Sequence, residues 1–237
     1  MHLLVTRPEA DASATAQRLE AMGHSVTVEP LLTIVLADPP GDLPEPAGLI
    51  VTSRNGVRAL QTWRQAADWH DVPLFAVGAA TGEEARSAGF RKVTAGEGEG
   101  SGLVSIIGGA LPAGRGPVIY AAARDLSGNL AEELEVAGFD LQMVEAYRAE
   151  RAEALSPALL AALAAGSIDG ALFYSRRTAR TFRDLIADRP VRLAHVFVLS
   201  EPVAQPLKDI GATVHVAPAP DEASLLALIP PTRNLAG

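Results

Sequence analysis

One phrase occurs twice in this chain, and it constrains the fold more than any other feature. Residues 48–60 read GLIVTSRNGVRAL and residues 170–182 read GALFYSRRTARTF, with Gly48 and Gly170, Ser53 and Ser175, Arg54 and Arg176, and Arg58 and Arg180 in register. Each phrase is an apolar run, then a polar step, then a segment of helical period: a strand feeding a helix. LFAVGAATGEEARSAG (74–89) lies on VFVLSEPVAQPLKDIG (196–211) without a gap and at the same spacing. LLVTRPEADASATAQRLEAMG (3–23) pairs in the same way with VIYAAARDLSGNLAEELEVAG (118–138). Three such units recurring in the same order point to a duplicated strand–helix arrangement.

The rest of the chain keeps this rhythm. Apolar runs of four to six residues alternate with segments rich in Ala, Leu and Glu, the pattern of α/β folds whose parallel sheets carry helices on both faces. The rhythm restarts after Pro112-Ala113-Gly114. Gly23, Gly89, Gly138 and Gly211 each follow a helical stretch and precede an extended one, as a left-handed helix C-cap requires. Two stretches break the alternation. VEPLLTIVLADPPGDLPEP (28–46) passes from an extended run into a Pro-rich one, and LQMVEAYRAER (141–151) is extended up to a helix start at Leu155-Ser156-Pro157. Both read as connections between lobes, so the chain crosses from one lobe to the other twice.

At 237 residues, 48% apolar and 20% charged, the chain has material for one or two packed cores, with no apolar run of membrane-spanning length. MHLLVTRPEA lacks the basic-then-apolar pattern of a secretory signal, so a cytoplasmic protein is expected. The absence of Cys excludes disulfides, thiolate catalysis and Cys-ligated metal. A net charge of −8 argues against a broad nucleic-acid-binding face but not against a small anionic ligand. The five histidines form no close pair in sequence, so no metal site is expected. Neither a G-x-S-x-G elbow nor a G-x-x-x-x-G-K-[ST] loop is present, and GEGEGSG (96–102) misses the dinucleotide spacing, which suits a turn-forming loop before the LVSIIGGAL helix. A nucleotide-dependent enzyme is correspondingly disfavoured.

In open parallel sheets, ligands gather where strands end and helices begin. The residues expected there are Thr6-Arg7, Thr52-Ser53-Arg54-Asn55, Gly78-Ala79-Ala80-Thr81, Ala123-Arg124-Asp125, Ser175-Arg176-Arg177 and Ser200-Glu201. Four of these six sites place Arg directly after the strand. Helix N-termini and Arg together suit a molecule bearing several carboxylates or phosphates. Ser53 and Ser175 are also what a helix N-cap demands whatever is bound, so capping and ligand contact stand side by side. Tyr147, one of three tyrosines, lies in a connecting segment, where its phenol could donate a hydrogen bond or a proton or simply sit on a strand surface. Glu145 is expected on the opposite face of that strand.

The ordered set LLVTRP, LIVTSRNGV, AVGAAT, GNLAEEL, EAYRAE, FYSRRTAR and LSEPVAQPLKDIG resembles the uroporphyrinogen-III synthase family over essentially the whole chain. That resemblance implies two Rossmann-like or flavodoxin-like α/β lobes with parallel sheets, interleaved in sequence and joined by a two-stranded β connection. Lobe one would comprise about 1–34 with 152–237, lobe two about 38–146, and the hinge strands about 32–38 and 144–151. The implied enzyme is a cofactor-independent, metal-free, monomeric lyase of porphyrin and haem biosynthesis, closing hydroxymethylbilane to uroporphyrinogen III with ring D inverted. It would bind neither nucleic acid nor membrane, and would meet the preceding pathway enzyme transiently.

Tyr147 matches the tyrosine proposed in that family to assist departure of the substrate hydroxyl, and Thr81 a polar position lining the cleft. Substrate carboxylates would be held around Thr52, Ser53, Asn55, Gly78, Ala79, Gly128, Ser175 and Ser200, with Arg7, Arg54, Arg124 and Arg176 as nearby charge. The two repeated phrases would face each other from different lobes. Two departures stand out. LSEPVAQP replaces the usual Gly followed by Thr-Ala, with Pro206 ending the helix after one turn, and FYSRR carries Ser-Arg for the commoner Ser-Pro. A non-catalytic two-lobed module for an anionic small molecule is the alternative that the same residues allow.

Overall fold

The computed structural model describes residues 1–38, 41, 43–96, 100–112, 114–126 and 128–231, and every count below refers to these. Residues 97–99 of GEGEGSG, Ala113 and the tail from residue 232 lie outside them. The chain opens with β1 (His2–Val5), α1 (Glu9–Ala21), β2 (Ser25–Val28) and β3 (Leu32–Leu36). It continues through β4 (Gly48–Val51), α2 (Arg54–Thr62), β5 (Leu74–Ala76), α3 (Ala79–Ser87), β6 (Val93–Ala95), α4 (Gly100–Ala110) and β7 (Val118–Ala123). Then come α5 (Leu130–Val136), β8 (Leu141–Arg151), α6 (Pro157–Ala165), β9 (Gly170–Phe173), α7 (Arg176–Leu185), β10 (His195–Val198), α8 (Glu201–Ala204), β11 (Thr213–Val216) and α9 (Glu222–Leu226). No helix among them is long and apolar enough to cross a membrane.

Internal contacts divide the chain into two units, Met1–Thr33 with Glu150–Gly237, and Ile34–Ala149. The first holds a five-stranded sheet ordered β11-β10-β9-β1-β2, and the second a six-stranded sheet ordered β3-β8-β7-β4-β5-β6. β1, β2, β9, β10 and β11 pair in parallel throughout, as do β4, β5, β6, β7 and β8. Counted from β1, the first sheet has the doubly wound order 2-1-3-4-5; counted from β7, the second has the same order with β3 added beside β8. The three repeated pairs fall on equivalent strands: β1 with β7, β4 with β9, and β5 with β10. Each sheet therefore takes one member of every pair, drawn from both halves of the sequence. β3 and β8, neighbours at one sheet edge, carry the chain across the boundary between the units.

Apolar residues alternate between the two faces of each sheet. In the first unit, Leu4, Phe173, Val196 and Val198 pack against Leu159, Leu163, Phe182 and Leu207, while Leu3, Val5, Leu172 and Phe197 pack against Leu19, Leu225 and Ile229. In the second, Leu49, Val51, Leu74 and Ile119 meet Val57, Leu60, Trp63 and Ala85, while Ile50, Phe75 and Tyr120 meet Leu103, Ile107, Leu130 and Leu134. Strands covered on both faces explain why β4 and β9 are buried at every residue. The repeated glycine has a packing cause. A Cβ on Gly48 would lie 2.6 Å from Leu111 Cδ1, and one on Gly170 3.0 Å from Phe197 and 3.1 Å from Leu3.

Helix boundaries follow local chemistry. Gly23, Gly89, Gly138 and Gly211 take φ of 87°, 97°, 83° and 79°, the left-handed stop that other residues resist. α6 starts at Ser156-Pro157, where the Ser156 side chain accepts from the Leu159 N–H at 3.2 Å and Glu29 accepts from the Ser156 N–H at 2.6 Å. α8 stops at Ala204, and Gln205–Leu207 turns into a 3₁₀ helix at Pro206.

Two expectations follow. Phe182 is fully buried with its ring centroid 5.1 Å from that of Phe173, so Phe182→Ala should cost about 3–5 kcal/mol in urea denaturation. His24 is held below its ordinary pKa by burial and then by the N-terminal ammonium, which sits 3.3 Å from Nδ1. A depressed folded-state pKa makes the neutral ring the stabilising form. That contribution is complete above the unfolded value of about 6.5 and is lost as pH falls through the folded value. Thermal melts between pH 7 and 5 should show this decline, and His24→Gln should flatten it.

Candidate active site

The residues with chemistry lie at the carboxyl ends of the strands in both units. In the second unit, Ser53 follows β4 with extended φ and ψ of −152° and 161°, and its hydroxyl accepts from the Gly56 N–H at 3.3 Å, capping α2. The Tyr147 hydroxyl lies 2.7 Å from the same Ser53 oxygen. Tyr147 reaches it because of a bulge. The register pairs Ala122 with Glu145 but Ala123 with Tyr147, so Ala146 is the extra residue in β8. Strict alternation would set Glu145 and Tyr147 on one face. With the bulge, Glu145 is exposed, whereas Ala146 and Tyr147 are buried. The expected opposition of the two side chains is therefore present, but its cause is the bulge rather than the pleat.

The second strand of the pair locks this arrangement. The Arg124 N–H, just past β7, donates to the Tyr147 carbonyl at 2.9 Å, and its guanidinium pairs with Glu145 at 3.0 Å. Arg124 thus serves Glu145 at the rim. Tyr120 of β7 donates to Thr52 Oγ1 at 3.3 Å. Burial, and then the neighbouring Tyr147 phenol, push the Tyr120 phenol above its ordinary pKa against the opposing effect of Thr52, so it stays a proton donor. Two phenols therefore converge on Thr52-Ser53. Tyr120 was not among the residues expected at the site. The available signal was a tyrosine inside an apolar parallel strand, where its hydroxyl must find a partner.

The other candidates in this unit surround that step. Asn55 Oδ1 accepts from Arg58 at 3.2 Å, and Arg58 Nε donates to Glu84 at 3.0 Å, tying α2 to α3. Gly78 begins α3 without a capping side chain, Ala79 is exposed, and Thr81 is buried with its N–H on the Gly78 carbonyl at 3.1 Å. Arg54 is half-buried, and Gly128 precedes α5 with φ of +91°.

In the first unit, Ser175 mirrors Ser53. Its hydroxyl caps α7 by accepting from the Thr178 N–H at 3.1 Å, but its second partner is Thr178 Oγ1 at 2.8 Å instead of a phenol. Arg176 is exposed, and Ser200 starts α8 without a side-chain cap. Arg7 departs from its expected role as charge near the substrate. It is 9% exposed and directed inward, onto Glu222 at 2.8 Å, Thr15 at 2.9 Å and Asp11 at 3.4 Å, with Tyr174 stacked at 4.0 Å. An Arg after a strand serves a carboxylate of the fold as readily as one of a ligand, and sequence alone does not separate the two. No cluster of three or more His, Asp or Glu among the described residues could hold a metal ion.

The family described as uroporphyrinogen-III synthase HemD matches residues 13–227. This chain belongs to the uroporphyrinogen-III synthase family. It is therefore an enzyme, a cyclising lyase of tetrapyrrole biosynthesis, and nothing in these comparisons favours a non-catalytic binding module. The solved uroporphyrinogen-III synthetase of Helicobacter pylori is similar at 16% identity and a TM-score of 0.66, covering 96% of this chain and 98% of that one. A mutant uroporphyrinogen III synthase of Thermus thermophilus is similar at 15% identity and a TM-score of 0.55, covering 96% and 97%. At such identities the structural likeness establishes the fold, and the family match carries the membership. No curated protein matches the chain in sequence.

The two serine caps generate a direct comparison. Ser53→Ala and Ser175→Ala should each lower unfolding free energy by about 1 kcal/mol in urea titrations, the usual worth of an N-cap hydroxyl.

Proposed function

We propose that this chain closes hydroxymethylbilane to uroporphyrinogen III with inversion of ring D, and that Tyr147 is the proton donor that starts the reaction. The observation that carries this is the 2.7 Å contact between Tyr147 and Ser53. Either oxygen can be the donor in this contact, and the Ser53 oxygen, which also accepts the Gly56 N–H, can turn its own hydrogen toward the phenol. A phenol accepting from Ser53 keeps its O–H for an outside acceptor. The terminal hydroxyl of the substrate is such an acceptor. Protonated, it leaves as water and gives an azafulvene cation. Ring D attacks that cation through its substituted carbon, and the resulting spiro intermediate opens and recloses at the other carbon.

Only the first step asks for a proton donor. The remainder asks for a folded, dry substrate, held so that this closure outruns the simpler one in water. The acetate and propionate groups of hydroxymethylbilane suit the N-termini of α2, α3 and α7, each favouring an anion by roughly 0.3–1 kcal/mol. Thr52, Ser53, Asn55, Gly78, Ala79, Thr81, Gly128, Ser175 and Ser200 would supply amides and hydroxyls, with Arg54 and Arg176 as the charges nearest these ends. Arg124 contributes less directly, through Glu145. The enzyme would act as a cytoplasmic monomer without cofactor, receiving substrate from the preceding enzyme.

The test is to supply hydroxymethylbilane and identify the product isomer after oxidation; type I product alone would sink the assignment. Tyr147→Phe keeps the ring in its buried place and removes the proton. The turnover rate should fall roughly 10²- to 10⁴-fold with the circular dichroism spectrum unchanged, and an unaltered rate would end the acid role.

A further inference from the structure

A polar cluster in the first unit is centred on Glu222, a residue outside every repeated phrase. It is the first residue of α9, a short helix fixed in two ways. Asp221 caps it by accepting from the Ser224 N–H at 2.8 Å, and Leu225, Leu226 and Ile229 are buried against Leu3, Val5 and Leu19. Glu222 Oε1 accepts three hydrogen bonds: from Thr15 at 2.6 Å, Arg7 at 2.8 Å and Tyr174 at 3.1 Å. Its other oxygen accepts from Arg18. Burial, and then the nearby Glu222 charge, push the Tyr174 phenol well above its ordinary pKa, so it remains a donor to this carboxylate.

The donors are not random neighbours. Arg7 leaves β1 and Tyr174 leaves β9, the two adjacent strands at which the order of this sheet reverses. In doubly wound folds, this is where the ligand crevice opens. Tyr174 immediately precedes Ser175, the cap of α7. One carboxylate thus clamps both strand exits on either side of the switch point, and the guanidinium stacked 4.0 Å above the Tyr174 ring tightens the clamp. Arg7 Nε is buried without a hydrogen-bond partner among the described residues.

We propose that Glu222 is a positioning residue for the reaction, setting through Arg7 and Tyr174 the place of Ser175 and the α7 N-terminus that hold substrate carboxylates. This rests on the substrate assignment made above.

The test uses the full chain and steady-state kinetics with hydroxymethylbilane. Glu222→Gln keeps the shape and removes the charge, and Tyr174→Phe removes one donor while leaving both ion pairs. Each should lower kcat/KM roughly 10- to 100-fold, with the loss in KM and kcat changed far less, because what is disturbed is binding and not proton donation. Wild-type protein that makes no type III isomer overturns the substrate assignment. An active wild type beside variants of unchanged KM overturns the positioning role alone, including where their melting temperature falls. If Glu222→Gln does not fold, Tyr174→Phe decides by the same criterion.

Discussion

Everything in this molecule depends on two parallel strand pairs, β1 with β9 and β4 with β7. A parallel pair cannot be closed by a tight turn, so each demands a long connection. The β1–β9 connection runs through the other unit, whereas the β4–β7 connection stays within its own, through α2, β5, α3, β6 and α4. β1 and β9 are separated by the whole of Ile34–Ala149, and each sheet is completed by strands from both halves of the sequence. A duplicated half-sequence on its own would lack the neighbours that bury its central strand. The side chain of Thr6 reinforces the seam by donating to the Leu172 carbonyl at 2.7 Å, inside the buried β1–β9 contact. Within each sheet, parallel pairing also gathers the strand exits at one edge, so the packing constraint and the location of the polar residues share one cause.

The bulge in β8 shows how a local irregularity is put to use. β8 runs eleven residues, from Leu141 to Arg151, and crosses from one unit to the other near its end. Without an extra residue, Tyr147 would share a face with the exposed Glu145. The bulge turns the phenol inward to Ser53 and leaves Glu145 outside for Arg124. The Arg124 N–H on the Tyr147 carbonyl then holds the realigned register at the strand end. An unpaired residue costs ladder hydrogen bonds, and what is obtained in return is an aimed hydroxyl.

The layered α/β fold was legible because it follows from burial pattern and capping chemistry, both local. GLIV and GALF could only be strands covered on both faces, and Ser53, Ser175 and Ser156 could be recognised as caps before any contact was known. The repeated strands were legible for the same reason, since β1 and β7, β4 and β9, and β5 and β10 each keep their apolar period. What could not be read is the direction of individual side chains. Arg7, Arg54, Arg124 and Arg176 all lie within three residues of a strand end, yet Arg7 is buried on Glu222, Arg124 pairs with Glu145 and Arg176 is exposed. Glu145, the partner of Arg124, lies 21 residues away and Glu222, which orients Arg7, lies 215 away, so no local pattern distinguishes them. Tyr120 and Glu222 were missed for the same reason: each is defined by a partner that only the fold supplies.

The two serine caps carry the comparison between the units further. They are equivalent in strand, in helix position and in the N–H each accepts, so duplication alone would give both the same surroundings. Ser53 is shared with Tyr147, whereas Ser175 is satisfied by Thr178 three residues on. The residue before each cap differs as well. Thr52 receives the Tyr120 phenol, while Tyr174 turns its own phenol toward Glu222. A hydroxyl paired within its own first helical turn can anchor an anion but has no acidic neighbour to relay. A hydroxyl paired with a phenol has one. Divergence at this single step, against a background of retained strands and caps, supports assigning proton donation to one unit and anchoring to both.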